Sequence, residues 1–279
     1  MSTNDLSTGK PQRGVQSIEI GGKILTAFVE QGGFLRLKDL SAITGIATGK
    51  LHPYLVSFCN TGLLERSELN GYSLGPFSLK LGLVRLRTQD GFRDILRRLP
   101  DLAHELGLMI SVSMWGPHGV TIVHIERVES LDPINFNSRV GGILFLTMTA
   151  AGHVFRAFLP NTVTNAVLEK EFADSESSRR AYYRVDRDTY DATIRLTQDR
   201  GYGAATDMPT PGISAVSAPV FDYTGRLLAA VTVFGPTALM SPGEDNRVAS
   251  RLLEFTTKLS DELGFKEACL SVADGPADP

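Results

Sequence analysis

The stretch Thr44–Phe58, TGIATGKLHPYLVSF, decides how the first part of this chain folds. A glycine-containing turn leads into a helical pattern in which Leu51, Tyr54, Leu55 and Phe58 share one face. Pro53 sits well inside that pattern. Proline has no N–H to give the carbonyl of Gly49, and its ring presses on that carbonyl, at about 3 kcal/mol in a helix interior. Gly49 is the residue best able to let the backbone yield there. The expectation is a helix over residues 47–60 that survives Pro53 with a bend or a tightened first turn.

Upstream, Ser17 can cap a helix over Ile18–Glu30, with Ile20, Ile24, Leu25 and Phe28 on one face. A second helix starts near Leu37, carries Leu37, Leu40 and Ile43 at helical spacing, and ends at Gly45. Downstream, Gly62 stops the third helix, and LLERSELNGYSL (63–74) reads as two short strands turning at Asn70-Gly71. Three helices followed by a hairpin make a winged helix-turn-helix, whose short turn lets the third helix project into a DNA groove. A small helical domain merely punctuated by glycines would not explain order, turn spacing and wing together.

With Leu51 and Leu55 turned inward, the roughly 100° step per residue puts Gly49 and Pro53 in the middle of the outward face. Lys50, His52 and Ser57 flank them, and Thr48, Arg36 and Arg66 surround that face as further candidate DNA contacts. Such a surface is smooth: Pro53 can meet a thymine methyl but makes no bidentate hydrogen bond to a base. Specificity would then lean on DNA shape and phosphate positioning.

Charge is unevenly divided. Residues 1–85 hold nine Lys/Arg against six Asp/Glu, and the remainder 19 against 25, so a mildly basic head on an acidic body can approach phosphates. The 279 residues suit a small domain plus a medium one, and a 42% hydrophobic content is enough for both cores. No apolar run approaches the ~20 residues of a membrane span. The polar start, MSTNDLSTGKPQRG, lacks the apolar core of a signal peptide, so a cytoplasmic protein is expected. Cys59 and Cys269 have no metal or redox spacing and read as reduced thiols.

Beyond the wing, GPFSLKLGLVRLR (75–87) should be a linker helix with a dimer surface around Leu79–Leu86. From residue 90 the pattern changes. LRRLPDLAHELG (96–107) reads as a helix, MISVSMWG (109–116) and GVTIVHIERV (119–128) as strands. TAAGHVFRAFL (149–159) and TYDATIRLTQDRGY (189–202) read as helices, and ISAVSAPVFDYTGRLLAAVTVFG (213–235) as a strand, a turn and a returning strand. Ser241-Pro242-Gly243-Glu244 is a capping box opening a helix that carries Val248, Leu252, Phe255, Leu259 and Leu263 on one stripe. The expected organisation is a flexible arm (1–14), a winged helix-turn-helix (15–76), a linker helix (77–90), a second domain (91–266) and a disordered tail (267–279).

VQSIEIGGKIL (15–25), the helix-turn-helix segment 37–58, GLLERSELNGYSLGPFSLKLG (62–82) and SRVGG (138–142) follow one another in a specific order. TAAGHVFRAFLP (149–160), RGYG (200–203) and APVFDYTGRLLAAVTVFGP (218–236) continue it. In this order and spacing the chain resembles the IclR-type transcriptional regulators over nearly its whole length. The resemblance implies an α+β protein: a winged helix-turn-helix, a linker helix, and a C-terminal α/β effector-binding domain with a curved, GAF/profilin-like antiparallel sheet. It also implies homodimers or homotetramers that bind double-stranded operator DNA under control of a small-molecule effector. No cofactor and no metal are expected. Three departures stand out. Pro53 and Ile20 stand where the family often has arginine, and the wing lacks the basic residue often found beside Gly71. They leave open a ligand-sensing homo-oligomer whose DNA binding is weakened or lost.

In relatives that bind small 2-oxo acids, the pocket uses two serines, an aspartate, a cysteine and the amides at a helix start. Aligned on the family's motifs, Thr232 and Phe234 take the serine positions, Ala205 the aspartate and Ala215 the cysteine, while Thr149, Ala150 and Gly152 keep the helix start. The exchange removes polar partners and adds apolar surface, which points to a larger organic acid, partly apolar and for example aromatic. Its carboxylate would meet the amides near Thr149–Ala150, helped by Thr232 or Arg139, and Phe145, Met148, Phe234 and Trp115 would line the rest. Core packing is an equally good reading of Trp115 and Met148.

Enzyme signatures are missing. GISAV (212–216) lacks the second glycine of a nucleophile elbow, and there is no phosphate loop. His118 and His124 could share a strand face, but no third metal ligand accompanies them; Asp186, Asp188 and Asp191 read as a solvated helix start.

Overall fold

The computed structural model describes residues 14–31, 33–67, 69–87, 91–127, 139–177, 185–240 and 247–266. The chain divides into two compact units, 1–88 and 89–279. The arm (1–13), the capping box at 241–244, Ser138, Cys269 and the tail from 267 fall outside the described residues.

The first unit runs α1 (Gln16–Glu30), β1 (Phe34–Leu35), α2 (Leu37–Thr44), α3 (Thr48–Thr61), β2 (Leu64–Ser67), β3 (Gly71–Leu74) and α4 (Pro76–Arg87). Ile24, Phe28, Leu40, Leu51, Leu55 and Leu64 are essentially sealed from water and form one core. Two details differ from the sequence reading. Val15, not Ser17, precedes the first helical turn, and no side chain caps it, so Ser17 lies inside the helix. The wing gains a third strand, β1, which pairs antiparallel with β3. Two residues are too few for alternation to reveal.

Side chains fix the turn between α2 and α3. The Ser41 hydroxyl donates to the Ile46 carbonyl (2.7 Å), Thr44 Oγ1 donates to the Leu40 carbonyl (2.7 Å), and the Ile46 N–H donates to Thr44 Oγ1 (3.3 Å). The third helix is continuous through Pro53. Its first turn is tightened: the N–H of Lys50 reaches the Ala47 carbonyl at 2.9 Å, three residues back, and the Leu51 N–H shares that acceptor at 3.1 Å. Gly49 and Pro53 are both exposed, so water can take the bond that proline cannot supply.

The second unit runs α5 (Phe92–Leu106), β4 (Met109–Gly116), β5 (Gly119–Glu126), β6 (Ile143–Leu144), α6 (Ala150–Phe158), α7 (Asn161–Ser177), α8 (Arg187–Arg200), β7 (Gly203–Thr206), β8 (Ile213–Phe221), β9 (Leu227–Pro236) and α9 (Arg247–Glu262). The strands form one antiparallel sheet in the order β6-β5-β4-β9-β8-β7. Strand β9 is buried on both faces, and α6 packs across β7, β8 and β9. Val248, Leu252, Phe255 and Leu259 are all buried, as their stripe requires. Helix α7 escaped the sequence reading because Leu168 and Phe172 bury while Val163 is exposed, so its apolar residues trace no single stripe.

Candidate functional site

The outward surface of α3 presents Thr48, Gly49, Lys50, His52, Pro53 and Ser57 to solvent, while Leu51 and Leu55 are fully buried beneath. The Ser57 hydroxyl donates to the Pro53 carbonyl (2.9 Å), so its proton is turned onto the helix's own backbone. Arg36 is exposed at the start of α2. Arg66 is exposed on β2, with its guanidinium 6.0 Å above the ring of Tyr72, its register partner on β3.

The second unit contains a cavity of about 340 Å³. Its floor comes from the sheet, where register places Ser111 on β4 opposite Thr232, and Ala215 on β8 opposite Phe234. Thr149, Ala150 and Ala151 at the start of α6, with Ile143 and Phe145 before it, form one wall. Met208, Pro209 and Thr210, after β7, form another, and Arg139 is exposed at the rim. The Arg139 guanidinium has no hydrogen-bond or ion-pair partner among the described residues.

The structure thus brings Arg139, Phe145, Thr149, Ala150, Ala215, Thr232 and Phe234 to the cavity. Three expected residues stand elsewhere. Trp115 lies four residues beyond Ser111 on β4, ~13 Å along the strand; it packs its ring 6.0 Å from Phe155 in the core. Met148 is buried without reaching the cavity wall. Ala205 is the register partner of Ala215 but sits on the outermost strand, one step too far from the floor. Sequence reasoning missed Ser111 and the Met208–Thr210 segment, which carry no motif.

Buried contacts hold the walls in place. A Cβ at Gly152 would stand 2.2 Å from the Phe145 carbonyl oxygen, and one at Gly203 would stand 2.4 Å from that of Ala150. Only glycine lets both segments approach α6 so closely. Thr149 Oγ1 donates to the Phe145 carbonyl (2.7 Å) and accepts from the Gly152 N–H (3.0 Å), which leaves the amides of Ala150 and Ala151 as the helix start that faces the cavity. From α7, Glu171 accepts the N–H groups of Leu146 (2.9 Å) and Thr147 (3.0 Å) and the Thr147 hydroxyl (2.9 Å). Burial pushes its carboxyl above the usual range, against the pull of those three donors.

His153 lies behind the same helix start. Its Nδ1 is 3.1 Å from the Ala204 carbonyl and its Nε2 3.3 Å from that of Thr147, so it bridges the segments on either side of α6. Burial holds its imidazole below the ordinary range, although both carbonyls favour the charged form. Asp207, in the left-handed region at φ 55°, accepts from the Gly212 N–H (3.0 Å) and Thr237 Oγ1 (2.6 Å), tying down the segment that carries Met208–Thr210.

The remaining titratable candidates have ordinary roles. His118 falls in the turn after β4, not on a strand as expected, and His124 meets Glu126 at 3.1 Å. Asp186 caps α8 by accepting from the Thr189 N–H, which depresses its carboxyl. Among the described residues no cluster could hold a metal ion, and no helix is long and apolar enough to cross a membrane.

A winged helix with an exposed third helix, followed in the chain by a sheet-based unit with an internal cavity, defines a DNA-binding transcriptional regulator with an effector domain. The IclR helix-turn-helix domain matches residues 17–68, and the bacterial transcriptional regulator IclR C-terminal domain matches residues 86–261. The chain belongs to the IclR family. It is 25% identical to the HTH-type transcriptional regulator XynR of Escherichia coli over 260 residues, 90% of this chain and 98% of that protein. It is 28% identical to the glycerol operon regulatory protein of Streptomyces coelicolor, over 80% of this chain and 85% of that one. The crystal structure of Pseudomonas aeruginosa HmgR matches at 31% identity with a TM-score of 0.56, covering 91% of this chain and all of that one. These relatives are transcriptional regulators, not enzymes.

Proposed function

We propose that this chain is a cytoplasmic transcriptional regulator that binds operator DNA as a homodimer or homotetramer and senses a small organic acid with an apolar, single-ring body. The cavity is the observation that carries the ligand class. Its walls are mostly apolar, its volume of about 340 Å³ lies near the lower end of ligand pockets, and an unpaired guanidinium and a helix start supply the sites for one anionic group. A ligand carboxylate would meet the Ala150 and Ala151 amides with Arg139 closing over it, while Phe145, Phe234 and Pro209 enclose the ring.

On DNA, α3 would enter the major groove with Pro53 and Gly49 against the bases, while Lys50, His52, Arg36 and Arg66 meet phosphates. Residues 15–76 would be the reading domain, 77–90 the linker and 91–266 the effector domain. In α4, Leu79 and Leu83, one turn apart on the same side of the helix, are each more than half exposed, an apolar strip that supports self-association through this helix. The smooth face around Pro53 gives some support to a second reading, a ligand sensor that no longer binds DNA.

A thermal-shift screen of the full chain against small 2-oxo acids, benzoate and cyclohexanecarboxylate tests the ligand class. At 100 times its dissociation constant a specific ligand stabilises by about 2.7 kcal/mol, a shift of a few degrees. Response to the ring acids alone is expected. Response to the oxo acids alone would overturn the proposal.

A further inference from the structure

Ser111 lies on the cavity floor, is only 4% exposed, and its hydroxyl has no hydrogen-bond partner among the described residues. That hydroxyl opens onto the cavity, and a ligand that covers it without accepting its proton leaves a bond unmade, at a cost of about 1–3 kcal/mol. Its register partner across the β4–β9 pair is Thr232, which also lines the floor. The two hydroxyls differ in what they can offer. Thr232 Oγ1 donates its proton to Ser217 Oγ (2.9 Å), so toward the cavity it can only accept, whereas Ser111 still has a proton to give.

Directly opposed residues of an antiparallel pair hold their Cβ atoms about 5 Å apart. One oxygen atom placed ~2.8 Å from each hydroxyl spans that gap. If it belongs to a hydroxyl group, it accepts from Ser111 and donates to Thr232, and every proton on the floor has an acceptor. Ile122, Ala215 and Phe234 around the pair are apolar, so a polar substituent elsewhere would give up its hydration for nothing.

We propose that Ser111 and Thr232 form a hydroxyl-reading pair, which selects aromatic acids carrying a ring hydroxyl over the same acids without one. The proposal rests on the reading of the cavity as an organic-acid site. An acid with a bare ring leaves the Ser111 hydroxyl buried and unpaired, so the hydroxylated acid should bind about tenfold more tightly, equivalent to ~1.4 kcal/mol. Ser113, two residues along β4, is an internal control: its hydroxyl is sealed without a partner among the described residues, and it does not line the cavity.

The full chain is titrated by calorimetry with benzoate, 3-hydroxybenzoate and 4-hydroxybenzoate. At least one hydroxy acid should bind about tenfold more tightly than benzoate. Ser111→Ala should remove that preference and bind benzoate more tightly than the unsubstituted chain does, because no donor is then stranded beneath the bare ring; Ser113→Ala should leave the preference intact. A preference that survives Ser111→Ala overturns the proposal, as does a parallel loss of benzoate affinity, which would place the carboxylate at the floor. Equal binding of all three acids by the unsubstituted chain removes the floor pair alone, and binding of none removes the acid-sensing reading with it. Should Ser111→Ala fail to fold by circular dichroism, Ser111→Cys, with a weaker donor of similar size, carries the same comparison.

Discussion

The two candidate surfaces use burial in opposite ways. On α3 the residues expected to meet DNA are exposed and the core residues lie beneath, so function and packing occupy different faces of one helix. In the cavity, Thr232, Phe234 and Ser111 are as buried as the core strands around them. A substitution on the outward face of α3 therefore leaves packing intact, whereas a change at the cavity floor disturbs it, so only the first can isolate the proposed recognition role.

Substitutions on each surface test that contrast. Leu51→Ala opens a void beneath the reading face, where Leu51 is fully buried, and should destabilise the first unit by about 2–5 kcal/mol. DNA binding should disappear. The single tryptophan, Trp115, lies in the second unit, so its fluorescence should keep the unsubstituted unfolding midpoint while far-UV circular dichroism shows an earlier step. Coincident loss of both signals would contradict separate cores.

Next comes Arg139→Gln. Hydrogen bonds to charged groups contribute roughly 1.5–3 kcal/mol, so carboxylate affinity should fall by about one to two orders of magnitude. Arg139 is exposed, so the unfolding midpoint should not move; calorimetry and a urea melt check the two halves of this expectation.

Pro53→Arg should have a smaller effect, confined to DNA. It adds a cation to the outward face and restores a donor for the Gly49 carbonyl, so the slope of log affinity against log salt should steepen by about 0.9 if one phosphate is gained. Lys50→Ala should flatten that slope by a similar amount.

The smallest effect is a pH dependence. Burial lowers the His153 imidazole below its ordinary value of 6.5, so between those two values the unfolded chain binds more protons than the folded one. The contribution of His153 is therefore fully present above pH 6.5 and is lost as pH falls toward the lowered value. The urea midpoint read by Trp115 should fall between pH 7.5 and 5.5, choices about one unit either side of the imidazole's ordinary value, and His153→Gln should flatten that fall.

Much of the first unit was legible because helical spacing states the inward face directly: Leu51 and Leu55 fixed α3, and the outward set followed. Motifs also located the start of α6 and the β8–β9 hairpin. The cavity was legible only in part. Strand alternation puts Thr232 and Phe234 on one face but says nothing of depth, so Trp115 shares its strand with Ser111 and yet belongs to the core. Nor can local pattern foresee Glu171 reaching the backbone of Leu146 and Thr147 from another helix, or Asp207 holding Gly212 and Thr237. Such contacts depend on tertiary placement, and no periodicity records them.

Whether this chain reads DNA under ligand control is tested most directly by fluorescence anisotropy of the full chain on a duplex from upstream of its own gene, across a salt series, with and without a hydroxybenzoate. Affinity should fall by about 0.9 log units per tenfold rise in salt for each phosphate contacted, and should shift at fixed salt when the acid is added. A slope near zero, with no response to the acid, would contradict both expectations and leave a sensor that does not read DNA.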